Sequence, residues 1–396
     1  MTAADTKGRP ALPFDSGLLD RLLDDAGIDV IVATSKHNVQ YLLGGYRFFF
    51  FDTMDAIGTS RYLPALVYQK GQPENAAYIG ASTENFEKEL GKFWPETVDL
   101  SITGSVSTGE RVAAHVKKLG NVRRVGVEAG FIPADAEAAL RKGLPNLDIV
   151  DAVFPLERLR ARKTPKEIVY LREASERVVD AMQTVFKTYC VPGATKLDVT
   201  EAMRREEVNR GLVFDYLLIT AGTSLNRAPS DQRIADGDIM SLDSGGNYKG
   251  YIGDLCRMGI VGGTPDAELQ DLLGFVDEIQ QAVRAPIAPG RRGGDIYDAG
   301  ARLIAASPHK PYLHFQAHGM GLVTHEAPRL MDTPRLSYMG YDKERSLEPG
   351  MVISIETTMA HPKRGFIKLE DTILVTDTGY EALGDGGRGW TPAGIR

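Results

Sequence analysis

The chain has 396 residues and a formal net charge of −7, with Lys and Arg totalling 46 against 53 Asp and Glu. That acidic balance argues against a nucleic-acid or anionic-membrane surface, and no apolar run reaches membrane-spanning length. Two isolated cysteines, Cys190 and Cys256, neither staple a fold nor match a zinc ribbon, and Met1 to Pro13 lacks the apolar core of a secretory signal, so a cytoplasmic location is expected.

The first half alternates strand-like and helix-like stretches. Ile28 to Ala33 reads as a strand, Gly44-Gly45 as a turn, and Phe48 to Phe51 as an aromatic run that is either a buried strand, an interface patch or a wall over a substrate site. Leu63 to Tyr68 and Ala76 to Ile79 follow as strands, Thr108 to Leu119 as a helix, then Arg124 to Glu128 and Leu147 to Val153 as strands. The pattern predicts an α/β domain over residues 1–157, with no phosphate loop.

The character changes near Arg162. Thr164-Pro165-Lys166-Glu167 is a helix start, with Thr164 as cap, Pro165 in the first turn and Glu167 closing a capping box. Ile168, Leu171, Ala174, Val178, Ala181 and Val185 keep helical spacing until Pro192-Gly193. A second domain is therefore expected over residues 158–396.

That domain echoes itself. Pro192-Gly193 precedes Asp198-Val199 as Pro289-Gly290 precedes Asp295-Ile296, each at the start of a predicted helix. Gly237 launches a short strand ending in Ser241-Leu242-Asp243, and Gly350 launches one ending in Ser354-Ile355-Glu356. Each is followed by a second strand carrying another carboxylate, Asp254 and Glu370, with Gly245-Gly246 and Gly250 or Pro362 and Gly365 read as the hairpin connections. Two helix-plus-hairpin units predict a pseudo-symmetric α+β domain that brings four carboxylates to one centre.

His314, His318 and His325 cluster between the two hairpins. Taken singly, these residues have plain explanations: Asp243 as a turn residue, Asp254 as a partner of Arg257, Glu370 as a surface charge, His314 as a packed histidine. Glu356 on an apolar strand resists that treatment, because a buried carboxylate needs a partner. Jointly, four carboxylates and an imidazole suit two closely spaced divalent cations, with manganese first and cobalt, zinc or iron as the others.

Taken in order, Lys163-Thr-Pro-Lys-Glu-Ile168, Gly237-Asp-Ile-Met-Ser-Leu-Asp-Ser-Gly245, Gly250-Tyr-Ile-Gly-Asp-Leu-Cys-Arg257, His318-Gly-Met-Gly321, Glu348-Pro-Gly-Met-Val-Ile-Ser-Ile-Glu356 and Leu369-Glu-Asp-Thr-Ile-Leu-Val375 resemble the pita-bread metallopeptidases, a family including aminopeptidase P, prolidase and creatinase. The resemblance implies a creatinase-like N-terminal domain, a pita-bread catalytic domain, a homodimer, and a small peptide or amide substrate. It implies that Asp254 and Glu370 bridge two metals, that Asp243 completes one, and that His318 with Glu356 completes the other. Glu356 would also shuttle a proton, His325 would steady the substrate carbonyl, and His314 would line the site.

Some positions depart from the family pattern. Asn226, followed by Arg227, stands where members acting on Xaa-Pro peptides or creatine place a histidine; Thr357-Thr358 replaces Pro-Gly; Lys368 replaces an arginine. Asn226, Arg227, Lys368, Phe49 and Phe50 are accordingly the expected substrate contacts. The expected reaction is hydrolysis of a peptide-like C–N bond, with Xaa-Pro dipeptides or short peptides as default. The alternatives are a non-peptide amide of ectoine or creatine type, or a lyase of the dimethylsulfoniopropionate type. Those lyases carry an extra Asp in the first ligand motif, where Ser241 and Gly245 flank Asp243 here. A non-catalytic binding role is the least expected, because all five ligand positions are filled.

Overall fold

A computed structural model of the chain describes residues 12–52, 60–331 and 339–394. The chain divides into two compact units, residues 1–160 and 161–396. No helix among the described residues is long and apolar enough to cross a membrane.

In the first unit the elements run α1 Ser16–Ala26, β1 Val30–Ala33, α2 Lys36–Leu42, β2 Ala65–Gln69, β3 Gln72–Ala81, α3 Asn85–Glu89, β4 Thr97–Ile102, α4 Ser105–Val116, β5 Arg124–Val127, α5 Ala134–Gly143, β6 Asp148–Asp151 and α6 Val153–Leu159. The strands form one sheet in the order β4-β3-β2-β1-β5-β6, with β1 parallel to β5 and antiparallel to β2. The central strands β1 and β2 are buried throughout, which explains why they read as unbroken apolar runs. The buried Glu128 carboxylate accepts from the Ser35 and Asn38 side chains and from the Ser35 amide, tying the start of α2 to the end of β5. Phe48 to Phe51 is not a strand: Phe49–Asp52 is a 3₁₀ turn, its Phe51 and the preceding Phe48 are buried against Tyr62, and Phe49 is 63% exposed.

The second unit consists of two similar halves. One contains α7 Pro165–Tyr189, α8 Lys196–Asn209, β7 Val213–Ala221, β8 Ile239–Tyr248 and β9 Tyr251–Val261. The other contains α9 Ala267–Arg284, α10 Asp295–Ala306, β10 Leu313–Gly319, β11 Val352–His361 and β12 Gly365–Val375, followed by β13 Tyr380–Leu383 and β14 Thr391–Ala393. Thr164 caps α7 through the expected capping box with Glu167. Each half contributes an antiparallel three-stranded sheet, and the two join where Glu370 of β12 pairs with Cys256 of β9, giving the order β10-β11-β12-β9-β8-β7. Gly237 and Gly350, at φ +80° and +89°, make the turns before β8 and β11 that favour glycine.

Strand alternation separates the faces of this sheet. Met240, Leu242 and Leu255 pack on α7 and α8, and Phe315, Ala317, Ile353, Ile355 and Ile373 belong to the core beneath α9 and α10. Asp243, Asp254, His318, Glu356 and Glu370 are each an odd number of positions from those residues on their own strands, so they share the opposite face. Gly245-Gly246 is not a hairpin connection. Both glycines lie within β8, where a Cβ on Gly245 would strike the Tyr216 ring at 2.3 Å and one on Gly246 would strike Val178 at 2.6 Å.

Candidate metal centre

Register sets the constellation. Glu356 pairs directly with Glu370, Asp243 pairs with Cys256, and Asp254 lies two residues from Cys256 on the same face. Asp254, His318 and Glu370 each offer a ligand atom, all within 4.8 Å of one another, and all three are buried. His318 Nδ1 lies 3.2 Å from the Gly319 carbonyl, which orients the ring, and its Nε2 is buried without a hydrogen-bond partner. A buried ring nitrogen without a hydrogen bond is costly unless something binds it. With two carboxylates at the same point, a divalent cation fits.

The surrounding charges point the same way. Burial pushes Asp254 well above the carboxylate range, and the nearby charges of Glu370 and Asp243 add to that. Burial would lower His318, but the carboxylates of Glu370, Glu356 and Asp254 outweigh it and hold the ring up at about 9. His325 stacks on His318 with ring centroids 3.8 Å apart, and burial followed by the His318 charge pushes it down to about 4, so it is a neutral imidazole. The next residue, Glu326, forms a fully buried ion pair with Lys163 at 2.9 Å.

Asp243 and Glu356 also face this centre, but in different company. Lys368 Nζ lies 2.7 Å from Asp243, 2.5 Å from Glu356 and 2.8 Å from Glu370, and the Arg227 guanidinium also contacts Asp243. Lys368 is buried, with its side chain 3% exposed, so it is placed among the ligand carboxylates and not on an open substrate surface. Arg227 is half-buried and lies over the Phe366 ring at 5.1 Å, while Asn226 is exposed. His314 is exposed and not brought to the cluster: it shares a face with His318, but four residues of strand separate them by about 13 Å.

The sequence profile of metallopeptidase family M24 matches residues 169–377, the segment that builds this centre. The chain belongs to that family. The profile of the creatinase/prolidase N-terminal domain matches residues 18–162. An uncharacterized peptidase of Bacillus subtilis, YqhT, is 28% identical over 371 residues, covering 92% of this chain and 96% of its own. The Xaa-Pro dipeptidase of Pyrococcus furiosus is 26% identical over 386 residues, covering 92% and 96%. Among solved structures, a Bacillus anthracis Xaa-Pro dipeptidase superposes with a TM-score of 0.77 at 24% identity over 95% of this chain and 98% of its own. The Pyrococcus horikoshii prolidase gives 0.75 at 23% identity, covering 93% and 97%. The two-unit architecture is thus the creatinase-type α/β domain followed by the pita-bread catalytic domain, and the chain is a metal-dependent hydrolase by family.

Several residues of the M24 centre escape sequence reading. The Tyr216 hydroxyl on β7 reaches across Gly245 of β8 and donates to Asp254 on β9 at 2.5 Å, and Ser354 Oγ donates to Glu370 at 2.8 Å. The signal for Tyr216 is Gly245 opposite it, whose missing side chain makes room for the ring. Arg257 is not a partner of Asp254. It points to the helix face, where with Arg284 and Arg388 it surrounds buried Asp371 at 2.6–3.1 Å and donates to the Glu370 carbonyl at 2.7 Å. That cluster holds the Glu370 backbone from behind.

Proposed function

We propose that this chain hydrolyses the peptide bond of Xaa-Pro dipeptides or short peptides at a divalent metal held by Asp254, His318 and Glu370, with manganese as the ion. The buried, unpartnered Nε2 of His318, facing two carboxylates, is the observation that carries the reading. The Pyrococcus furiosus relative, an Xaa-Pro dipeptidase matched over nearly its whole length, supports the substrate class.

Such an ion, when bound, supplies a hydroxide at neutral pH and polarises a carbonyl. The protein's part can be read from its own groups. The Glu356 side chain is 16% exposed while Asp243, Asp254 and Glu370 are no more than 4% exposed. Glu356 is therefore the carboxylate able to exchange a proton with solvent, which suits a general base. Neutral His325 offers a ring N–H to a substrate carbonyl, and the Lys163–Glu326 pair fixes the loop that carries it. Arg227, partly exposed beside Asp243, is the group we assign to the substrate's carboxylate end, with Asn226 at the rim. The active form is proposed as a homodimer.

A panel of Xaa-Pro di- and tripeptides tests the reading. Manganese-loaded protein should release proline or shorten the peptide at the Xaa-Pro bond, and Glu356→Gln should lower kcat by about 100-fold or more. Metal-loaded protein that turns over none of the panel would rule out the peptidase reading and direct assays to other small amides and to elimination substrates.

A further inference from the structure

Glu356 and Glu370 each divide their oxygens in the same way. Oε1 of Glu356 and Oε1 of Glu370 lie 3.9 and 3.8 Å from His318 Nε2, while Oε2 of each lies 2.5 and 2.8 Å from Lys368 Nζ. The two glutamates therefore span two cationic positions: one beside His318 and Asp254, the other occupied by an ammonium. Asp243 belongs to the second position, with its Oδ2 bonded to both Lys368 and Arg227.

We propose that Lys368 permanently supplies the second cation of this centre, so that the chain holds one divalent ion, on Asp254, His318, Glu370 and Glu356. This rests on the metal-centre reading above and fixes its stoichiometry at one ion.

Two observations carry it. Lys368 lies two residues before Glu370 on β12, so the pleat puts both side chains on one face. Its side chain is 3% exposed and surrounded by three carboxylates, so swinging it out would bury an unpaired charge or break the strand.

The test is the metal content of the full-length protein, read independently of activity. Metal-stripped protein is titrated with manganese chloride, and bound ion is counted by elemental analysis and by electron paramagnetic resonance. Wild type should bind about one manganese per chain with the six-line signal of an isolated ion, and Lys368→Met about two with the broadened signal of a coupled pair. Two ions in wild type, or one in a folded Lys368→Met protein, overturns the proposal. Should Lys368→Met not fold, Asp243→Asn serves instead, since Asp243 here partners Lys368 and not the ion. It should bind manganese within about threefold of wild type, whereas Asp254→Asn should lose at least tenfold. Equal losses in the two variants overturn the proposal. The two readings fail separately: one ion without peptide turnover removes only the peptidase reading, and two ions with turnover removes only the role of Lys368.

Discussion

The Lys163–Glu326 pair offers the sharpest test of how the loop after His318 is held. Both side chains are at most 2% exposed and their charged atoms are 2.9 Å apart. Lys163 precedes the cap of α7, while Glu326 follows His325 and its amide donates to the Gly319 carbonyl at 3.0 Å. A Cβ at Gly321 would meet Glu326 Oε1 at 2.3 Å and Lys163 Cε at 2.8 Å, so the pair fills the space beneath the loop completely. Replacing Lys163 by Met removes the ammonium that balances the buried Glu326 carboxylate, a loss of about 3–5 kcal/mol. For a unit of this size that corresponds to a fall in Tm on the order of 10 °C. Because the stranded carboxylate disturbs the neighbouring His325, kcat on the best Xaa-Pro substrate should also fall, by about tenfold, with little change in KM. Adding Glu326→Gln should restore most of the stability, since the buried negative charge that Lys163 balanced is then gone. Differential scanning calorimetry on both single variants and the double variant measures the coupling. A Lys163→Met protein within 1 kcal/mol of wild type, or a double variant as unstable as the two single losses added, would refute the idea that this pair anchors the loop.

Three further outcomes follow from the same structure. Glu207 is buried beneath Ser244, and burial, with the charge of Asp215, pushes its carboxyl up to about 8 against the hydroxyl's lowering effect. The folded state then holds a proton that the unfolded chain releases, so stability is full below the ordinary carboxylate range and falls, by up to ~1.4 kcal/mol per pH unit, as pH rises towards 8. Glu207→Gln should match wild type in Tm at pH 5 and exceed it at pH 8; parallel Tm–pH curves would contradict the assignment. Tyr216→Phe removes the hydroxyl that orients Asp254 and should weaken manganese binding about tenfold, measured by calorimetric titration with the fold unchanged. Phe49→Ala, which removes an exposed apolar ring, should weaken the dimer in sedimentation; an unchanged dimer would exclude an interface role for this ring.

The ligand carboxylates were legible because their strands repeat: a glycine turn, a serine and then an acid at fixed offsets occur twice, and period-two alternation puts Asp243 and Glu356 on the face opposite Leu242 and Ile355. The same alternation, applied to β12, places Lys368 beside Glu370 and not on a substrate surface; treating it as a lone replacement of an arginine hid that. His314 is exposed on the same strand face as His318, four residues away. Gly245-Gly246 reads as a turn from composition alone, and only the pairing of Tyr216 with Gly245 shows that it clears space for a ring. Asp371 and its three arginines were illegible for a related reason. Arg257, Arg284 and Arg388 come from widely separated segments, and no local pattern announces that they converge behind Glu370.

The central claim is that Asp254, His318 and Glu370 hold the ion on which hydrolysis depends. Metal-stripped wild type and Glu370→Gln would be titrated side by side with manganese chloride, following bound ion and proline release together. In wild type activity should rise in step with bound manganese, and Glu370→Gln, folded by calorimetry, should lose both. Proline release by the stripped protein, or undiminished manganese binding in Glu370→Gln, would contradict it.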